Sequence, residues 1–517
     1  MNEFFSAARR PALSGEAMIA TSHPLATAAG LEVLAARGNA VDAALAAVAV
    51  QCVVEPHMTG VGGDCFALYA PKGREVLAIN GSGRAPAAAS AASLRDSGLT
   101  AIPHECAHAV TVPGAVSAWM RLHQDFGSLP LDRLFRAAID YAERGYPVTA
   151  RVAHDWQLAE GVMRKHPAAA ALFLKDGHAP RTGDRHAQPL LGQRLRDIAR
   201  GGAAAFYEGK TARSIVRTLR DAGGVQTEED FAAGVDTAHY VTPISGDYRG
   251  FEVVECPPNG QGVIALLILK VLSSANLSAD LPLAERIHLQ AEATRLAYDA
   301  RSAWLADPRY RPDATGMLVE VATRGRVFQR EPTVEHRDTI CLSVVDRDGN
   351  AISFINSIFQ AFGSFILDPE SGVLLHSRGS SFSLTEGHPN MLAPGKRPLH
   401  TIIPGMLRHE GKVVMPFGVM GGHYQASGHA ALISGLLDQG LDIQAAIDAP
   451  RSFDFDGVLE VEPTVDAEVR ARLQQRGHDV RLATRPIGGA QAVWIDHERG
   501  VLWGGSDPRK DGCAMGI

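Results

Sequence analysis

The chain has 517 residues, 46% apolar and 21% charged, with a formal net charge of -7. Such a length buries a large core and would by itself suggest about three domains. The acidic balance leaves no basic footprint for nucleic acid or anionic lipid, so a small-molecule partner is favoured over a polyanion. Alanine is abundant and aromatic residues make up 6%, which favours tightly packed helices over a ring-lined groove. No run of about eighteen apolar residues lacks a charge or a Gly/Pro break, so no membrane span is expected. Arg9 and Arg10 are not followed by an apolar run of signal-peptide length. The cysteines (Cys52, Cys65, Cys106, Cys256, Cys341 and Cys513) are scattered without a CxxC pair. They read as buried thiols of a reducing compartment, and a cytoplasmic protein fits best.

In chain order, Pro24 to Arg37 reads as an Ala/Leu helix stopped by Gly38-Asn39. A second helix, Val41 to Val54, is small and apolar all round and should be buried on most faces. The Gly60–Gly63 turn and Asp64 then lead into a strand, Cys65 to Tyr69. Helices are expected over Val116–Phe126, Leu131–Arg144, Pro189–Gly201, Lys210–Ala222 and Pro282–Leu305. Past residue 338 the texture turns to strands. Ile340–Asp346 and Ala351–Ile358 flank Arg347-Asp348-Gly349-Asn350, a strong hairpin signal because Gly accepts the positive φ of a tight turn. Further strands are expected at Val413–Gly418, Val458–Val461 and Gln491–Asp496, with a helix at Ala426–Gln439. Helices wrapping a mostly antiparallel sheet define an α+β chain. No internal repeat or flexible linker is seen, so one compact unit replaces the three domains suggested by length.

Two patterns are weighed and set aside or held open. His104-Glu105-Cys106-Ala107-His108 matches HExxH, whose two His ligate zinc from one helical face. It follows Ile102-Pro103 and runs at once into Thr111-Val112-Pro113-Gly114, which leaves no room for a long helix, so a surface loop is expected and no metal site. The clusters Gly60–Gly63 and Gly418–Gly422 lack the spacing of phosphate loops. They are tight turns, or turns whose backbone N–H groups face a ligand.

A Thr opening a strand is unremarkable alone, since β-branched residues favour strands. Around Thr339, however, the run Asp338-Thr339-Ile340-Cys341-Leu342-Ser343 to Asp346-Arg347-Asp348-Gly349-Asn350 resembles the start of the small subunit of the gamma-glutamyltranspeptidase family. The resemblance covers nearly the whole chain. It includes Gly38 to Ala44, Gly60–Gly63, Gly83-Arg84-Ala85-Pro86, Thr111–Gly114, Cys256-Pro257-Pro258, Met420-Gly421-Gly422 and Ser506 to Gly512, all in order.

That resemblance implies an N-terminal-nucleophile αββα sandwich and self-cleavage between Asp338 and Thr339, giving a large-subunit portion 1–338 and a small-subunit portion 339–517. The physical logic is that a Thr hydroxyl is a poor nucleophile without a base. An internal amide nitrogen cannot serve, but a freed α-amine, with a pKa of about 7.7–8.0, can. The resemblance further implies that Ser357 hydrogen-bonds the nucleophile and that Gly421 and Gly422 form an oxyanion hole. It makes Arg84 a partner for the substrate carboxylate. A Ser satisfied within its strand and a surface ion pair remain the plain alternatives for Ser357 and Arg84. The implied assembly is an αβ heterodimer from one precursor, open to further association, and the mechanism requires no cofactor or metal.

The substrate segments depart from the family. Ser381 stands where an Asp usually precedes a Phe-Ser pair and neutralises the glutamyl ammonium. Phe359 replaces an amide-bearing residue, His400-Thr401 replaces a Ser-Ser pair, and Arg378 adds a charge where a neutral amide is usual. Together these remove ammonium-binding chemistry, since a buried ammonium without a counter-charge is costly. Arg378–Ser381 and Asn356–Gln360 look most like the oxamate-amidohydrolase-like and acylase-like branch. The expectation is an amidohydrolase for a small carboxylate-bearing amide, such as oxamate or an N-acyl amide. Two alternatives stay open: a gamma-glutamyltransferase or glutathione hydrolase, and a catalytically silent binding homologue. The second is disfavoured because nucleophile, hydroxyl partner and glycine pair are all present.

Overall fold

A computed structural model describes residues 9–311 and 339–517. The helix expected after Gly38-Asn39 spans Ala40–Val54, and all 15 of its residues are buried. Its start is set by a reciprocal capping box: the Asn39 side chain accepts from Asp42 N at 3.0 Å while the Asp42 carboxylate accepts from Asn39 N at 3.1 Å. A residue from far along the chain adds to this cap. The Asp346 carboxylate accepts from Ala40 N at 2.9 Å and also from Asp348 N, Asn350 N and Asn350 Nδ2. It therefore closes the 347–350 hairpin turn and docks it on the helix at once. Gly349, at φ 82°, supplies the left-handed residue of that turn.

Two seven-stranded sheets face each other. From edge to edge, one runs Ala12–Ser14, Val501–Ser506, Gly489–Asp496, Lys412–Met420, Pro404–His409, Phe251–Glu255 and Ile244–Tyr248. The other runs Cys513–Gly516, Met18–Thr21, Ile340–Val345, Ala351–Ser357, Asp64–Ala70, Leu77–Gly81 and His239–Val241. Every neighbouring pair in both is antiparallel. Between the sheets, Ser343 Oγ donates to Gln491 O at 3.1 Å and Ser353 Oγ to Phe417 O at 2.6 Å. Small side chains let the layers approach: a Cβ on Gly418 would meet Cys341 Cβ at 3.1 Å.

Ala40–Val54 and Ala115–Phe126 cover the outer face of the Thr339 sheet; Gly262–Leu272, Gln425–Leu437 and Ile443–Asp448 cover the other. The expected α+β sandwich of helix, sheet, sheet and helix is thus present. Of the fourteen strands, half precede residue 312 and half follow residue 338. Each sheet therefore interleaves both stretches.

Some elements differ from expectation. Leu131–Arg144 is two helices, Leu131–Leu134 and Arg136–Arg144, hinged at Phe135. Val458–Val461 lies outside the sandwich, in a small sheet with Ser452–Phe455 and Asp479–Leu482. Helix Gly262–Leu272 escaped notice because it is apolar on nearly every face and shows no helical period. Cys106 and Cys513 are only partly buried, unlike the other four thiols. Among the described residues no helix is long and apolar enough to cross a membrane.

Asp346→Ala removes four hydrogen bonds and should lower the unfolding free energy by about 2–4 kcal/mol. A urea midpoint that falls at unchanged slope checks this; an unchanged midpoint would deny the docking role.

Candidate functional site

The antiparallel pairing of Ile340 with Asn356 continues by one residue to set Thr339 opposite Ser357, and Ser357 is itself paired with Asp64 on the next strand. Directly opposed residues share a face, so Thr339, Ser357 and Asp64 form one row across three strands. Thr339 Oγ1 lies 3.1 Å from Ser357 Oγ, and both residues are buried. Phe359 N donates to Ser357 Oγ at 3.0 Å, which fills one lone pair and directs the rest of the hydroxyl toward Thr339. Asp338, the residue before the expected cut, lies outside the described residues.

Asp64 carries the row's charge. Its Oδ1 accepts from Gly83 N and Gly114 N, each at 3.0 Å, and its Oδ2 from His400 Nε2 at 3.0 Å. Burial raises the carboxyl's pKa, but His376, the His400 hydrogen bond and Arg378 outweigh it, leaving the group at about 2 and ionised. His400 is lowered too, but for it burial is the cause. Burial, helped by Arg378, pushes it down to about 3 against the pull of Asp64, so the ring is neutral. Its Nδ1 accepts from Ile402 N at 3.4 Å, which puts the proton on Nε2. His376 is fully buried, with Nε2 bonded to Thr111 O at 2.9 Å and Nδ1 3.7 Å from Asp64 Oδ2.

Arg378 is 1% exposed. Its Nη1 donates to Thr401 Oγ1 at 3.1 Å, and its guanidinium lies 3.7 Å from the centre of the Phe359 ring. A desolvated stack of this kind is worth ~2 kcal/mol. Burial lowers the guanidinium to about 9, opposed by Asp64, so it stays charged at neutral pH. Among the described residues its Nη2 has no hydrogen-bond partner. An unfilled donor on a buried cation costs about 1–3 kcal/mol or more.

Phe359 reaches this position at φ 78°, and Phe362 and Phe365 nearby are also left-handed, at 57° and 58°. Each such residue stores about 1–3 kcal/mol, offset by burial of the rings, Phe362 against Phe173 at 5.1 Å and Trp156 at 5.7 Å. The site is therefore partly ring-lined, contrary to what the low aromatic content suggested.

The remaining expected residues divide. Ser381 Oγ lies 2.8 Å from both Arg378 O and Leu399 O, so its hydroxyl is spent holding the Arg378 turn. Gly421 and Gly422 follow the Lys412–Met420 strand at φ 126° and 56°. Gly421 O accepts from Tyr424 N at 3.0 Å, which turns the N–H of the same peptide, on Gly422, the opposite way. Arg84 stands apart from the Arg378 cluster. It is about one-third exposed and bonds Gly395 O at 3.2 Å, with Asp307 Oδ2 at 3.8 Å. Its neighbour Gly83 touches the site, through Asp64. Asp64 and His376 were missed from sequence, although a carboxylate opening an otherwise apolar strand was a usable signal.

The HExxH stretch forms a short 3-10 turn at Ala107–Ala109, and this turn packs against Gly379. His288, Glu292 and His478 could bring three ligand atoms within 4.8 Å of one another. Arg295 Nη2 lies 3.1 Å from His478 Nδ1, which fixes that nitrogen as acceptor and leaves Nε2 protonated, so the trio does not fit a metal.

This sandwich, with a Thr–Ser pair opening at its centre, is the fold of the N-terminal-nucleophile hydrolases. The chain matches the gamma-glutamyltranspeptidase family model over residues 26–517, and it belongs to that family. It is 36% identical to a glutathione hydrolase-like proenzyme, YwrD, of Bacillus subtilis, over 97% of this chain and 98% of that one. It is 34% identical to the oxamate amidohydrolase proenzyme of Klebsiella pneumoniae, over 98% and 99%. A solved cephalosporin acylase from Bacillus halodurans superposes with a TM-score of 0.92 at 36% identity, over 100% of this chain and 98% of that one. The protein is thus an enzyme of this family's hydrolase and acylase type.

Asp64→Asn leaves Arg378 buried without its counter-charge and should cost about 3–5 kcal/mol of stability. Phe359→Leu removes only the stack and should cost about 2 kcal/mol. Denaturant titration of both checks the order; a reversed order would contradict the electrostatic reading of Asp64.

Proposed function

We propose that the enzyme matures by cleavage before Thr339 and then hydrolyses a small amide bearing a carboxylate close to the scissile bond, such as oxamate or an N-acyl amide. The observation that carries the substrate reading is Arg378: a fully buried guanidinium whose Nη2 is unfilled among the described residues, one residue contact from the Thr339–Ser357 pair through Phe359. A carboxylate oxygen is the natural partner for such a donor. Ser381 offers no negative charge for a glutamyl ammonium, and the Asp64 carboxylate is committed to three protein donors.

In this mechanism the freed α-amine of Thr339 takes the hydroxyl proton as Oγ1 attacks the amide carbon. The oxyanion that forms is met by the N–H groups of Gly421 and Gly422. Collapse breaks the C–N bond, the α-ammonium returns its proton to the leaving nitrogen, and an ester on Thr339 remains. Water, deprotonated by the same amine, then attacks the ester carbon; the C–Oγ1 bond breaks, the α-ammonium returns its proton to Oγ1, and the acid leaves. Ser357 holds Oγ1 in line throughout. The pieces 1–338 and 339–517 stay together as an αβ heterodimer because each sheet takes strands from both.

A denaturing gel should show two pieces of roughly 36 and 19 kDa, in proportion to their shares of the 55.0 kDa chain. Thr339→Ala should leave one band and no turnover. If wild type stays intact after long incubation, processing fails as the source of activity. Oxamate and simple N-acyl amides should be turned over more efficiently than gamma-glutamyl anilides; efficient glutamyl turnover would sink the substrate reading and favour a glutathione hydrolase.

A further inference from the structure

We propose that Gln261 is a positioning residue that locks the Gly421–Gly422 turn to the wall carrying Arg378. This rests on the reading of that turn as the oxyanion hole. Both glycines adopt left-handed φ values that side chains disfavour, so the turn gains little rigidity from its own sequence and must be held from outside. Gln261 is fully buried and does this with one amide. Its Nε2 donates to Gly422 O at 3.0 Å and to Thr401 O at 2.8 Å, which uses both amide protons.

The amide's orientation is fixed by a neighbour. Arg301 Nη1 donates to Gln261 Oε1 at 2.9 Å, and a guanidinium cannot accept, so the Nε2 edge must face the two carbonyls. The same Nη1 lies 2.9 Å from His423 Nδ1, and the Tyr298 hydroxyl donates to His423 O. The backbone joins in: Gln261 N donates to His400 O at 3.0 Å. Thr401 is the residue whose hydroxyl receives Arg378 Nη1. One side chain therefore ties the turn that would meet the oxyanion to the residue that seats the guanidinium. Such a tie acts on the geometry of the transition state more than on ground-state affinity, so its loss should appear in kcat.

Gln261→Met and Gln261→Glu test this, assayed on autoprocessed enzyme with kcat normalised to the processed fraction and with Thr339→Ala as control. Gln261→Met has no donor, and kcat should fall about 10- to 100-fold at every pH with KM within about threefold of wild type. Gln261→Glu donates nothing when ionised and one hydrogen bond when protonated. Its kcat relative to wild type should therefore recover by at least about threefold from pH 8 to pH 5.5. A flat ratio, a change confined to KM, or a Gln261→Met enzyme with wild-type kcat would overturn the proposal. Failure of both variants to fold, judged by circular dichroism, would overturn it too, since the amide would then be a fold determinant. An active Thr339→Ala would sink the nucleophile reading and this proposal together. An inactive Thr339→Ala beside a flat ratio would sink this proposal alone.

Discussion

The site depends on one strand register. Pairing Ile340 with Asn356 and Ser357 with Asp64 leaves Thr339, Ser357 and Asp64 abreast on the face turned toward the second sheet. A slip of one residue in any of these strands would send its member of the row to the helix-covered face, because strand side chains alternate. The register is held at its far end by Asp346, which closes the hairpin and caps helix Ala40–Val54. What fixes the hydroxyl pair is thus the 347–350 turn at the far end of both strands, together with inter-sheet hydrogen bonds from Ser343 and Ser353.

The second constraint is electrostatic. A guanidinium sealed from water needs a counter-charge, a stacking surface and filled donors. Asp64 supplies the first, Phe359 the second, and Thr401 part of the third. The two histidines beside Asp64 are lowered by burial. The Asp64–Arg378 pair accordingly leaves the cluster close to neutral. The strained φ of Phe359 is the local cost of placing its ring under the guanidinium while its N–H holds Ser357.

Much of this was legible in the sequence where the signal was local. Asp348-Gly349 announced the hairpin, Gly38-Asn39 the helix stop, and the β-branched and apolar runs the two central strands. The motifs around Thr339, Ser357 and Gly421-Gly422 carried the family. Arg378, Phe359, His400 and Thr401 were singled out as departures, and they prove to be neighbours. Asp64, His376 and Gln261 were not anticipated as a group, because His400 for Asp64, Thr111 for His376, and Thr401 and Gly422 for Gln261 lie more than a hundred residues away, and no spacing rule records a buried counter-charge. Arg84 matched by motif, yet its side chain is engaged by Asp307 and Gly395. Motif position fixed its backbone near the site without fixing where the guanidinium goes.

The central claim is that Thr339, once it is an N-terminus, carries the acyl group. It is tested most directly by intact-mass analysis of enzyme quenched during turnover of a slowly hydrolysed carboxylate-bearing amide. The expected result is an acyl mass added to the 339–517 piece alone, located on its first residue by fragmentation. Turnover that proceeds with no adduct on that piece, or with the adduct on the 1–338 piece, would contradict it.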